Sequence, residues 1–382
     1  MRVTVPRSLP PIPHTGARSL PPALPRRGAG PPPKRPIPHV KKVLIVSSAK
    51  GGVGKSTLAV NLATALARTP RNLDAQSSTT QRDGPHNRVG LLDLDIYGPS
   101  LPKLMNLDRA GAPLTTEQDA LIPLVNYGMP CMSMGFLLPP SPSTSSSSDV
   151  DPRTASNEDS PVVWRGLMVM KAVQQLLFDV DWRASAGALA SSLPSAQQQL
   201  QNRQSSKEDA LDLLVIDTPP GTGDVHLSLA QLVAPINGVL VVSTPQKVAL
   251  ADTRKGIAMW NKLGIQVTGL VLNMSHLPPP SPDAAPIHLF GPPTAFNDLA
   301  TATKLPVLGR IPIDQALCEA GEQGVPLTLQ AEVEAAAAAN AGGASAEEVD
   351  EYVRDSKSVF MSMASRIWRA LEGSSSPSTV KP

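Results

Sequence analysis

The stretch SAKGGVGKST, residues 48–57, constrains this chain more than any other. It follows a short apolar, β-branched run, KKVLIVS, and precedes TLAVNLATALAR, whose apolar residues recur at helical spacing. That order predicts strand, loop, helix. Gly51, Gly52 and Gly54, with Val53 among them, let backbone N–H groups close around an anion, and the helix behind them adds its dipole. Lys55 supplies a point charge, and the hydroxyl of Ser56, followed by Thr57, is placed to meet Mg²⁺. The loop reads as a nucleotide-phosphate cradle. The strict pattern G-x-x-x-x-G-K-[ST] is not met, because Ala49 stands where its first glycine belongs. What is met is K-G-G-x-G-K-[ST], with a second lysine, Lys50, ahead of the glycines.

Four more apolar runs follow, VGLLDLDIYGPS, LDLLVIDTPP, NGVLVVSTP and VTGLVLNMS, several of them leading into helical patterns such as VHLSLAQLV and LADTRKGIAMWNKLG. Continuous apolar strands alternating with helices predict an α/β fold, a doubly wound, mostly parallel sheet with helices on both faces. Acids gather at the strand ends. Asp93 and Asp95 follow the second run, and Asp217 closes the third, where an uncompensated carboxylate would be costly unless it faced Mg²⁺ and its waters. Gly221 and Gly223 give the next loop freedom to respond to a bound phosphate, with Asp224 as a support for that loop.

Prolines number 41 of 382 and crowd into a few segments, so folded and unstructured stretches must alternate. Residues 1–38 form a basic, proline-rich leader, and no acid occurs before Asp74; this is the charge bias of an organellar transit peptide. A nucleotide-binding domain is expected over 39–330, with low-complexity insertions at about 69–88, 139–160 and 183–209. An Ala-rich linker (331–349), a last helix (350–373) that packs back on the sheet, and a short tail (374–382) complete the chain. A net charge of +2 gives no footing for nucleic acid, and no apolar run is long enough to span a bilayer. Two cysteines make no disulfide framework; Cys131, in a strand-like run, and Cys318, in a helical one, both read as buried, inert thiols.

Taken with its second lysine, the phosphate loop resembles that of MinD/ParA-type ATPases. The resemblance implies ATP and Mg²⁺ as cofactors, and a homodimer in which Lys50 reaches the partner's phosphates. It places Ser56, Asp93 and Asp217 in the metal shell, Asp95 against the attacking water, and Asn273 at the adenine. DIYGPSLPKLM, PVVWRGLMVMKAVQQLLFDVDW, DTPPGTGDVHLSLAQ, STPQKVALADTRKGIAM and the NMS…HLFG frame are more specific, and resemble the Mrp-like iron–sulfur carrier ATPases, above all their mitochondrial branch serving respiratory complex I. That similarity covers about residues 34–327 and implies a [4Fe–4S] cluster carried to client apoproteins of the mitochondrial matrix. One site departs from it. In that family the loop between NMS and IFG holds a C-P-x-C pair from each subunit, and two pairs bind one bridging cluster. Here the loop reads HLPPPSPDAAPI, without a thiol, flanked by His276 and His288. No iron–sulfur ligand is identified. The departure leaves open a misread exon, a loss or relocation of the ligands, or a cluster-free, ATP-switched dimeric scaffold.

Overall fold

The computed structural model describes residues 33–70, 87–96, 98–137, 166–183, 210–279, 284–330, 333 and 351–373. The leader up to residue 32, the bulk of the three insertions, nearly all of the linker, the tail, and Trp164 and Arg165 lie outside the described residues. The compact body begins at Lys34, a few residues before the compositional boundary at 39. The Arg35 N–H donates to the Leu232 carbonyl at 2.9 Å, and Ile37 is buried.

Eight strands form one sheet: β1 (Val43–Ser47), β2 (Val89–Asp93), β3 (Leu124–Asn126), β4 (Met129–Ser133), β5 (Leu213–Asp217), β6 (Gly238–Ser243), β7 (Val267–Leu272) and β8 (Val307–Arg310). Their order is β3-β4-β2-β5-β1-β6-β7-β8, and every pairing is parallel except β3 with β4. That exception is a hairpin. Tyr127 and Gly128 turn it with φ of 51° and 73°, the left-handed pair that a tight two-residue turn requires. The five central strands β1, β2, β4, β5 and β6 are buried at every residue, so their apolar runs are continuous where a one-sided strand would alternate.

The helices are α1 (Lys55–Arg68), α2 (Leu101–Leu104), α3 (Gly166–Phe178), α4 (Asp224–Leu232), α5 (Lys247–Lys262), α6 (Thr294–Thr303), α7 (Gln315–Gln323) and α8 (Glu351–Gly373). α8 packs on α1 and β8. Its Trp368 Nε1 donates to the carbonyl of Leu66 at 3.1 Å, and Lys42 Nζ donates back to its Leu371 carbonyl at 3.1 Å. β1 lies between β5 and β6, so the chain leaves it toward opposite halves of the sheet, the arrangement that opens a crevice at the strands' carboxyl ends.

Candidate functional site

The carboxyl edge of the sheet is a row of buried polar side chains. Ser47, Asp93, Ser133, Asp217 and Ser243 close β1, β2, β4, β5 and β6, and buried Asn273 follows β7. Over this row lies a cleft of about 700 Å³ lined by the glycine loop, Asp95, Lys103, Asn273, Asp314 and Cys318, among others.

The loop owes its shape to two glycines. Gly52 and Gly54 have φ of 76° and 77°, and a Cβ at Gly54 would strike the Asn273 amide nitrogen. No side chain caps the start of α1, which leaves its first N–H groups facing the cleft. Behind the loop, Lys55 Nζ donates to Asp217 Oδ1 at 2.5 Å and to Ser56 Oγ at 3.3 Å, while Ser56 Oγ donates to Asp217 Oδ2 at 2.5 Å. Lys55 and Asp217 keep only 6% and 3% of their surface exposed, so each charge depends on the other.

Asp93 lies in the same buried layer. Its Oδ1 accepts the Asp95 N–H at 2.8 Å, and its Oδ2 accepts the Ser133 hydroxyl at 3.1 Å and the Leu101 N–H at 3.4 Å. Burial first, and then the charge of Asp217, push its carboxyl up to about 7. Burial also raises Asp217, against the opposing pull of Lys55 and Ser56. Two buried carboxylates share one lysine, so the site is short of positive charge. With the Ser56 hydroxyl they form an all-oxygen donor set that fits Mg²⁺.

Lys50 and half-buried Asp95 both line the cleft, and among the described residues neither side chain is in an ion pair. Val53 is buried, and Gly51 and Thr57 join the cleft wall. Asn273 Nδ2 donates to the Val53 carbonyl at 2.8 Å, which ties the expected base-reading residue to the phosphate loop. Gly221, at φ 95°, donates its N–H to the Ser48 carbonyl at 2.8 Å and couples the flexible loop to the cradle.

Three supporting features escaped the sequence reading. Ser133 holds Asp93; Asp314 caps α7 by accepting the Ala316 N–H at 2.9 Å; and Lys103 pairs with Glu322 at 2.5 Å between α2 and α7. A signal existed only for the cap, in the Asp that precedes the helical run QALCEAGEQ. Cys131 is buried on β4 as expected, and burial raises its thiol pKa. The expectation for Cys318 was wrong. It is exposed, because α7 buries only Ala320 fully and Cys318 falls on the other side, toward the cleft.

His226, in the first turn of α4, is fully buried edge-on to Trp260, with ring centroids 5.5 Å apart, and neither ring nitrogen has a partner. Burial pulls its pKa down to about 4. The folded state therefore holds the neutral ring, while the unfolded chain takes up a proton near 6.5. This contribution to stability is complete above 6.5 and is lost as pH falls toward 4. Denaturant titrations from pH 7 to 4.5 should show a steeper loss in the wild type than in His226→Gln; equal slopes would refute the assignment.

The family model for NUBPL iron-transfer P-loop NTPases of the ParA group matches residues 39–145 and 192–346, well over half of the chain. The chain belongs to this family. Mouse iron–sulfur cluster transfer protein NUBPL is 42% identical over 300 residues, covering 78% of this chain and 74% of the mouse protein. An Arabidopsis thaliana iron–sulfur protein required for NADH dehydrogenase, mitochondrial, is 36% identical over 76% of this chain and 72% of its own length. Among solved structures, a nucleotide-binding protein from Archaeoglobus fulgidus in complex with ADP superposes with a TM-score of 0.50 at 27% identity, covering 75% of this chain and 87% of that one.

Against this NUBPL-family background the proline loop keeps its frame. Leu277 and Ile287 exchange backbone hydrogen bonds of 2.8 and 3.2 Å, and the His276 and His288 rings meet edge to face, centroids 6.3 Å apart. Residues 280–283 lie outside the described residues, and among those described no group of three or more His, Cys, Asp or Glu side chains is set to hold a metal. No helix there is long and apolar enough to cross a membrane.

Proposed function

We propose that this NUBPL-family chain is an ATP-binding and ATP-hydrolysing factor of iron–sulfur cluster transfer, serving respiratory complex I in the mitochondrial matrix and acting as a homodimer. The observation that carries the reading is the Lys55, Ser56 and Asp217 constellation under a glycine loop of left-handed φ. On nucleotide binding Lys55 would leave Asp217 for the β- and γ-phosphates and the loop N–H groups would hold the remaining oxygens; Ser56, Asp217 and Asp93 would hold Mg²⁺, which would supply charge neutralisation. Asn273, already packed against the loop, reads the base. Asp95 orients a water for in-line attack on the γ-phosphorus; the new P–O bond forms as the bond to the bridging oxygen breaks, releasing ADP and phosphate.

Lys50 is the dimer element. It sits beside Phe290, and Ile287, Leu289 and Val248 are also exposed, a set of apolar side chains that supports an association surface. Asp95→Ala should trap an ATP-bound dimer, and Lys50→Ala should stay monomeric under the same conditions. Sedimentation with ATP tests this; a wild type and an Asp95→Ala protein that both remain monomeric would sink the reading. The acid-free leader should carry a reporter into mitochondria, and cytosolic fluorescence of a full-length fusion would refute the assigned compartment.

The thiol-free loop favours a second reading, a cluster-free ATP-switched scaffold that acts by nucleotide-dependent dimerisation. The two readings share the ATP site and part company over iron.

A further inference from the structure

A second cavity, of about 450 Å³, opens on the far side of Asp95 and Pro220, which line both it and the nucleotide cleft. Its walls come from the loop after β2, the loop after β5, the start of α4, and Val169 and Met170 of α3. The volume is that of a small-ligand pocket, far above the ~30 Å³ of one water. The lining is mainly apolar, with Ile96, Val169, Met170, Pro219 and Val225. Among the described residues its titratable groups are Asp95, half-buried, Asp224, exposed, and His226, whose ring nitrogens are themselves buried. Among the described residues neither carboxylate is in an ion pair.

These features exclude most occupants. An anion would face two carboxylates, and a purely apolar guest would leave half-buried Asp95 without a counter-charge. A bare metal ion has too few donors in an apolar wall. We propose that this cavity is a second binding site, for a small amphipathic organic cation whose apolar body lies against Val169 and Met170 and whose ammonium head pairs with Asp95 and Asp224. Because Asp95 and Pro220 are common walls, occupancy of this site and of the nucleotide cleft are coupled. The assignment is independent of cluster cargo and of hydrolysis.

The test uses full-length protein labelled with ¹³C at the methionine methyls, titrated with 2-phenylethylammonium, 2-phenylethanol and phenylacetate. The cation should shift the Met170 methyl signal saturably, with phenylethanol weaker by about fivefold, one partly exposed ion pair, and phenylacetate without effect. Asp224→Asn should erase the preference for the cation. Val169→Trp should fill the cavity and abolish the shift, while binding of a fluorescent ATP analogue shows that the variant is folded. No saturable shift, equal shifts from cation and anion, or a shift that survives in folded Val169→Trp would each overturn the assignment; loss of ATP binding alone would bear on the nucleotide site.

Discussion

Lys55→Ala should abolish nucleotide binding and, before any ATP is added, destabilise the fold by about 3–5 kcal/mol, the usual cost of removing one partner from a buried ion pair. The second effect follows from the 2.5 Å contact with Asp217, which keeps only 3% of its surface exposed. Without the ammonium, Asp217 must either carry an unpaired charge beside Asp93 or take up a proton. Its remaining donor, Ser56, cannot replace the charge. The double variant Lys55→Ala/Asp217→Asn should recover part of the loss, because the stranded charge is gone. Urea denaturation of the apo proteins at pH 7.5 measures this. A single variant as stable as the wild type, or a double variant worse than the sum of the singles, would show that the pair does not carry the apo state.

Iron binding should be close to all-or-none between two versions of the proline loop. As it stands, each protomer offers Cys131, sealed within β4, and Cys318, exposed on α7 at the nucleotide cleft. Neither belongs to the His276 and His288 hairpin. Anaerobic reconstitution with iron and sulfide should leave the unmodified protein with labile, substoichiometric iron. Cysteines introduced at Pro279 and Pro282 should restore the broad absorption near ~400 nm of thiolate-bound iron–sulfur clusters, through four thiolates per dimer. A stable, stoichiometric cluster in the unmodified protein that disappears in Cys131→Ser or Cys318→Ser would mean that the ligands have moved. The same result decides between the carrier and the scaffold.

The phosphate loop, the acids at the strand ends and the parallel character of the sheet were legible because each is a local pattern. A glycine needing left-handed φ, or an apolar run ending in a carboxylate, declares itself within ten residues. The β3–β4 hairpin was only half legible: VNYGMP holds its turn, but nothing local says that β4 then pairs with β2. Contacts across long sequence gaps left no trace, as with Lys103 and Glu322, 219 residues apart. His226 drew no reading of its own within the helical run VHLSLAQLV, since its burial depends on Trp260, which arrives from a different helix. Cys318 was misjudged for a related reason. Only the packing of α7 decides which side of so short a helix faces water.

The placement of α8 has a consequence for biogenesis. The Trp368 indole closes over the Leu66 carbonyl at the end of the first β-α unit, and Met363 sits over Gly309 of β8. The first β-α unit of the sheet is thus finished by a residue 302 positions later. Until residues 351–373 emerge, α1 and β8 keep an uncovered apolar flank, and the cradle for phosphate rests on an incomplete wall. A nascent chain stalled anywhere before that helix is a client for chaperones, whatever cargo the finished protein goes on to handle.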